Sequence, residues 1–266
     1  MQLGYALVGC VVGVVVGLTS TGGGSLLTPA LLFFGAPPAL AIGSDVLVAS
    51  GMKLFGGSFY ALRREVHWPT VLKLGAGSIP GAALGIAVLN RVPREWLDTS
   101  LRRGVGVVLV LAGLATVRRV FLQGKAHPER FPSAAITVLL GAVTGILVSM
   151  SSIGSGSLLL CVMTALFPLS AQKIVGTDLV HALLLSAVAA IGHYLAGRVD
   201  LGLSLALLVG AIPGVLIGAR LAWAMPQRAL RVALGVVLVG IGAQLSLVAP
   251  SKPAAPVVAT VAGARP

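Results

Sequence analysis

Long apolar runs separated by short polar stretches recur from one end of the chain to the other. They predict helices at about 3–19, 40–62, 70–90, 104–122, 134–150, 171–195, 201–222 and 230–248. Runs of roughly 20 residues, at about 1.5 Å rise per residue, match a hydrocarbon layer of about 30 Å. Two shorter apolar pieces, 25–35 and 157–167, follow the first and fifth runs directly. Each is too short to cross comfortably and is preceded by a glycine- and serine-rich break. Broken or re-entrant helices are the simplest account. Barrel strands would alternate apolar and polar positions, whereas 105–115 is continuously apolar, as is 230–241 apart from Arg231. The pattern therefore predicts an all-α, polytopic integral membrane protein with about eight transmembrane helices.

Composition supports lipid as the solvent. Of the 266 residues only 10% are charged and 57% are hydrophobic, with a mean hydropathy of +1.02. A soluble domain carries about 25% charged residues. The net charge of +12 suggests nucleic acid until its placement is seen. Arg63, Arg64, Arg91, Arg94, Arg102, Arg103, Arg118, Arg119, Arg220, Arg228 and Arg231 all fall between or at the ends of apolar runs. Arginines so placed orient helices and meet anionic lipid head groups. No basic stripe with interleaved aromatics exists, so no nucleic-acid partner is expected. Trp68, Trp96 and Trp223 stand at loop edges, where an aromatic belt forms, and Tyr60, His193 and Tyr194 suit the same interfacial role. Cys10 and Cys161 lie inside apolar segments and predict small core hydrophobes, not a disulfide or a metal pair. The first run lacks a basic flank and a cleavage site, so it predicts a retained span.

An internal repeat organises the chain. Gly13 and Gly17 correspond to Gly141 and Gly145. Gly22-Gly23-Gly24-Ser25-Leu26-Leu27 corresponds to Gly154-Ser155-Gly156-Ser157-Leu158-Leu159, with a short insertion before it. Gly43-Ser44-Asp45 recurs 133 residues on as Gly176-Thr177-Asp178. Pro80-Gly81 with Gly85 recurs as Pro213-Gly214 with Gly218, and Pro93 as Pro226, at the same offset. The repeat divides the chain into a first transmembrane repeat (1–122), a connecting loop (123–133), a second repeat (134–248) and a disordered tail (249–266) rich in proline. If the short pieces do not cross, each half has four spans and the halves are parallel. If they cross, each has five and the halves are inverted. Loop lysines and arginines count nearly equally on the two sides, so charge bias leaves the orientation open.

Paired breaks in corresponding positions are the sequence pointer to a transporter's central site. Glycine lets backbone turn sharply and approach a ligand, and a helix beginning after such a turn presents free N–H groups. The candidate substrate-binding residues are Ser20, Thr21, Gly22, Gly23, Gly24 and Ser25 at the first break. At the second they are Ser152, Gly154, Ser155, Gly156 and Ser157, joined by Lys53 within a span. Such breaks could instead only permit close helix packing, the role assigned to Gly9-Gly13-Gly17 and Gly77-Gly81-Gly85. Ionisable residues within spans are functional candidates by default. Asp45 and Asp178 could couple transport to an ion or cap their helices, and His181 could relay a proton or donate to an anion. No cofactor or metal motif is present, and no phosphate-binding loop for ATP.

The stretch from Gly17 to Pro29, then Ala41-Ile42-Gly43-Ser44, then Ile79-Pro80-Gly81 with Gly85, resembles the TauE/SafE sulfite exporter family, also called toluene-sulfonate uptake permeases. The resemblance covers about 3–248. The second half departs from the first at Ser155, where the first has Gly23, and at Cys161, where it has Pro29. The resemblance implies secondary transport of a small sulfur-containing anion across the multi-pass protein's home, the cytoplasmic membrane, with lipid and the anion as partners. It leaves import or export open, as the sequence does homo-oligomer formation. Lys53 and His181 are candidates from intramembrane chemistry alone. Two other readings stay open: a passive anion channel, and an intramembrane hydrolase in which a break serine pairs with His181 or His193. Against the hydrolase, Val48 stands where the first half would need the histidine.

Overall fold

A computed structural model describes residues 2–21, 26–35, 37–89, 107, 110–111, 113–114, 117–118, 131–151 and 155–247. Among these residues the regular structure is helical throughout: α1 (Gln2–Thr19), α2 (Thr28–Phe33), α3 (Pro38–Leu62), α4 (Trp68–Leu89), α5 (Ala134–Ser151), α6 (Ser155–Leu166), α7 (Ala171–Leu195), α8 (Leu201–Ala224) and α9 (Gln227–Leu247). Local chemistry sets several starts. Proline opens α3, where a missing N–H costs nothing. The Ser170 side chain accepts from the Lys173 N–H at 3.1 Å, and Asp200 accepts from Leu203 at 3.0 Å. Among the described residues three helices are long and apolar enough to cross a membrane: Leu40–Leu62, Ala171–Leu195 and Leu201–Ala224. The predicted span 104–122 lies largely outside the described residues, as do Trp96 and the tail; its Gly113 packs on Gly235 of α9.

The helices pair by exchange across the chain. Gly9, Gly13 and Gly17 of α1 lie against the backbone of Leu207, Ala211 and Val215 of α8. Gly210, Gly214 and Gly218 return the contact against Ala6, Cys10 and Val14. Both series advance together, so α1 and α8 run parallel. In the same way Gly77 and Gly81 of α4 meet Val138 and Ala142 of α5, while Gly141 and Gly145 meet Leu74 and Ser78. The packing role predicted for these stripes is the observed one, because only hydrogen at Cα lets two backbones come this close.

Helices α3 and α7 form the centre, antiparallel. Gly43 near the start of α3 sits under the Arg198 carbonyl just past the end of α7, and Gly176 near the start of α7 sits under the Glu65 carbonyl just past α3. Beside each glycine a hydroxyl holds the crossing loop. Ser44 Oγ accepts from the Asp200 N–H at 3.0 Å, and Thr177 Oγ1 accepts from the His67 N–H at 2.9 Å. Burial, with Lys173 and Lys73 nearby, holds the loop imidazole of His67 below its ordinary pKa, and the ring stacks on Phe131 at 5.0 Å.

The short pieces turn back. Phe34, just after α2, packs edge-on against Tyr5 in the first turn of α1, with ring centroids 5.5 Å apart. Phe167, just after α6, packs against Phe131, just before α5, at 6.5 Å. Each pair α1–α2 and α5–α6 is therefore a helical hairpin whose two ends lie together. Since α1 runs with α8 and α5 with α4, and α3 opposes α7, the two hairpins point in opposite directions. Large apolar side chains such as Val188 (73% exposed) and Val209 (71%) cover the outside, as a lipid-facing surface requires.

A Cβ at position 13 would lie 2.5 Å from the Ala211 carbonyl oxygen, with backbone on both sides. Gly13→Ala should therefore lower the thermal midpoint in detergent, by an overpacking cost of about 1–3 kcal/mol. Gly192→Ala on α7, with open space around it, should stay within about 0.5 kcal/mol of the parent.

Candidate functional site

The end of α1 and the two central helices build the site. Thr19 closes α1 with its hydroxyl on the Val15 carbonyl at 2.7 Å, and it meets the Thr21 hydroxyl at 2.7 Å. Between them Ser20 adopts φ +63, the left-handed region that a non-glycine residue enters at some cost. That conformation breaks the helix and turns the side chain inward: Ser20 Oγ donates to Asp178 Oδ2 at 2.7 Å. The bond joins the tip of the first hairpin to α7, 158 residues away. On the other limb of the same hairpin, the Thr28 hydroxyl donates to Asp45 Oδ2 of α3. The Gly22–Gly24 break, itself outside the described residues along with Ser25, is thus held at both ends by carboxylates.

Asp45 and Asp178 are 1% and 0% exposed. Neither caps its helix. Each lies two turns inside, α3 beginning at Pro38 and α7 at Ala171 with Ser170 as its cap. The capping reading is overturned because Pro37 and Ser170 occupy the cap positions and both aspartates lie inside their helices. Lys53, 7% exposed on α3, lies within electrostatic reach of both Asp178 and Asp45, and of His181. His181, fully buried on α7, pairs its Nε2 with Ser78 Oγ of α4 at 2.8 Å. Asp45 Oδ1, Asp178 Oδ1 and His181 Nδ1 are buried with no hydrogen-bond partner among the described residues. Buried polar atoms are rarely left so, and three in one cluster mark a place for a further polar group.

Five candidates from the sequence therefore gather here: Ser20, Asp45, Lys53, Asp178 and His181. Thr21 is buried beside them. Ser152 and Gly154 lie outside the described residues, and Ser155, Gly156 and Ser157 open α6, their side chains outside what is described. Thr28 and Ser78 were missed. A signal existed for Ser78, since the second half has Ala211 in its place. Tyr60 corrects an expectation: it is fully buried and its hydroxyl donates to the Gly17 carbonyl at 3.0 Å, closing the end of α1 rather than anchoring at an interface. His193 is only half-buried, and Tyr194 is exposed. Trp223 is half exposed beneath the Arg63 guanidinium, 4.2 Å from its ring.

A break pinned by hydroxyls within a bundle of apolar helices can be compared with known proteins. The family model "Sulfite exporter TauE/SafE" matches residues 5–245. The chain belongs to the TauE/SafE family. Among its relatives, the probable membrane transporter protein YjnA of Bacillus subtilis is 38% identical over 253 residues, which span 92% of this chain and all of that protein. The probable membrane transporter protein YunE of the same organism is 26% identical, over 90% of this chain and 95% of its own length. A probable membrane transporter protein of Haemophilus influenzae is 24% identical over 75% of this chain and 77% of its own. No solved structure matches. As a member of this family, with three helices fit to cross a bilayer, the chain is a membrane transporter.

Ser20 offers a test of the hairpin pin. Ser20→Ala removes the donor to Asp178 and keeps the strained backbone, so it should cost about 1–3 kcal/mol in detergent unfolding. Ser20→Gly loses the same donor but fits φ +63, and should recover roughly 1 kcal/mol of that loss. Parent-like midpoints for both variants would show that the bond contributes nothing.

Proposed function

We propose that this TauE/SafE transporter carries a small sulfur-containing oxyanion or organosulfonate through a central site between its two breaks, by alternating access. The observation that carries this reading is the buried Lys53 beside a hydroxyl-lined hairpin tip. An ammonium and neutral O–H and N–H donors suit an oxyanion, and a helix starting after a glycine turn adds the positive end of its dipole. The proposed ligands are Ser20, Thr21, Gly22, Gly23, Gly24 and Ser25 on one hairpin, Ser152, Gly154, Ser155, Gly156 and Ser157 on the other, and Lys53. The family name and the transporter names of the relatives support the class of cargo and of activity.

The proposed architecture is two duplicated halves, 1–122 and 134–248, joined by 123–133, in the cytoplasmic membrane. Equivalent helices α3 and α7 oppose one another, and the equivalent hairpins enter from opposite faces. Both favour inverted over parallel repeats, with 104–122 as the third crossing of the first half. On this reading six of the eight apolar helices cross, while α1 and α5 enter and return. Inverted halves can exchange conformations to open the site to one face and then the other. The pairing of His181 does not favour hydrolysis. Its serine partner is Ser78, which is fully buried, and His181 Nδ1 has no carboxylate to orient it among the described residues.

Thermal unfolding of the purified protein against sulfite, sulfate, thiosulfate, methanesulfonate, phosphate and chloride at equal ionic strength tests the cargo. A true ligand at about 100 times its Kd should stabilise by roughly 2.7 kcal/mol. The rise should be selective for a sulfur oxyanion and lost in Lys53→Gln and in the Ser25→Ala, Ser157→Ala double variant. A flat response to every anion would sink the reading.

A further inference from the structure

The charge balance of the central cluster conflicts with its proposed cargo. On α3 the cluster holds Asp45 and Lys53, and on α7 Asp178 and His181. The elements packed around it add hydroxyls: Ser20 from α1, Thr28 from α2 and Ser78 from α4. Neither Ser20–Ser25 nor Ser151–Ser157 contains an ionisable side chain. Further charged residues stand at the two loop crossings: Glu65 at Gly176 beside Asp178, and Arg198 and Asp200 at Gly43 and Ser44 beside Asp45. With both carboxylates ionised and the imidazole neutral, two negative charges face one ammonium. The empty site then has one negative charge in excess, and a bound monoanion would make it two. Away from water that excess is strongly unfavourable, and opposite charge must arrive with the anion.

We propose that Asp45 and Asp178 are the proton sites of this transporter, so that the anion binds together with protons and the two cross as one electrically balanced load. This rests on the reading of the cluster as the anion site. The geometry favours a proton over a metal cation. Lys53 already offers an ammonium within electrostatic reach of both carboxylates, and a metal cation placed beside it would be repelled by it. A proton needs no cage, only a bare oxygen, and each carboxylate keeps one buried oxygen with no partner among the described residues. The proton comes from water on the open side, adds to that oxygen, and leaves to water with the anion on the other side.

Protonation also reaches the hairpin. Ser20 and Thr28 donate to the two carboxylates from either side of the Gly22–Gly24 break. An ionised carboxylate is the stronger acceptor, and a carboxylic acid the weaker one. Loading the proton sites therefore weakens both of these hydrogen bonds. The second half lacks an equivalent of Lys53, having Ser186 at that position, so one cation serves both carboxylates.

The test follows protons and binding together. The full-length protein in detergent, in weakly buffered solution near pH 7 with an indicator dye, receives sodium methanesulfonate, thiosulfate or sulfate. None of these titrates near neutrality. The thermal midpoint reports binding in parallel. The expected result is uptake of at least about one proton per bound anion, reduced in Asp45→Asn and in Asp178→Asn, and unchanged when choline replaces sodium. A midpoint that rises without proton uptake in the parent protein overturns the proposal and leaves the anion site standing. A midpoint that rises only with sodium replaces the proton by a metal cation and overturns it too. No rise with any anion removes the anion site itself, and the proposal with it. Each of these outcomes is read on the parent protein, so the test holds even where a variant fails to fold.

Discussion

An interrupted helix cannot be left against lipid, because hydrocarbon offers nothing to its unpaired N–H and C=O groups. Both interruptions here must therefore be enclosed by protein, and the rest of the architecture follows from that constraint. Each inner helix, α1 and α5, is pressed along a glycine stripe onto a long helix from the other part of the chain. The stripes bring backbones into contact on one side of each helix, while Leu3, Leu7 and Val11 of α1 and Leu139 of α5 stay exposed on the other. The Tyr60 hydroxyl then takes up the Gly17 carbonyl, and the Thr19 and Thr21 hydroxyls bond to one another where α1 ends.

The exchange of helices makes the two parts of the chain inseparable. Neither α1 nor α5 finds its main neighbour within its own half. The motifs Gly43-Ser44-Asp45 and Gly176-Thr177-Asp178 show how much one tripeptide can hold. The glycine admits the carbonyl of the crossing loop, the hydroxyl takes that loop's N–H, and the aspartate turns to the interior. A substitution at any of the three would be felt both at a surface loop and at the buried cluster.

The near-symmetry fails at the chemistry. His181 stands opposite Val48 in the repeat, Lys53 opposite Ser186, and Ser78 opposite Ala211. The sequence motifs recur at a constant offset, while Lys53, Ser78 and His181, which have no like residue at the matching positions, converge on one cluster. On the proposed function, two matching halves would rock between equivalent arrangements around that one cluster.

The sequence alone determined the solvent, the helical class and most span boundaries, because hydrophobic period and run length are local properties that lipid enforces. It also determined which residues were too costly to bury without purpose: Asp45, Lys53, Asp178 and His181 stood out by type and position. It could not determine their partners. That Ser20 reaches Asp178 depends on a left-handed turn at a serine and on contacts 158 residues apart. The helix starts near 40 and 171 were legible in the apolar runs, but that Pro37 and Ser170 take the cap positions and both aspartates face the buried interior is shown only by the folded chain. Tertiary structure also decided that the short pieces return and that α3 opposes α7. Run length measures how far a helix reaches, whereas its direction is set by the neighbour against which its small residues pack.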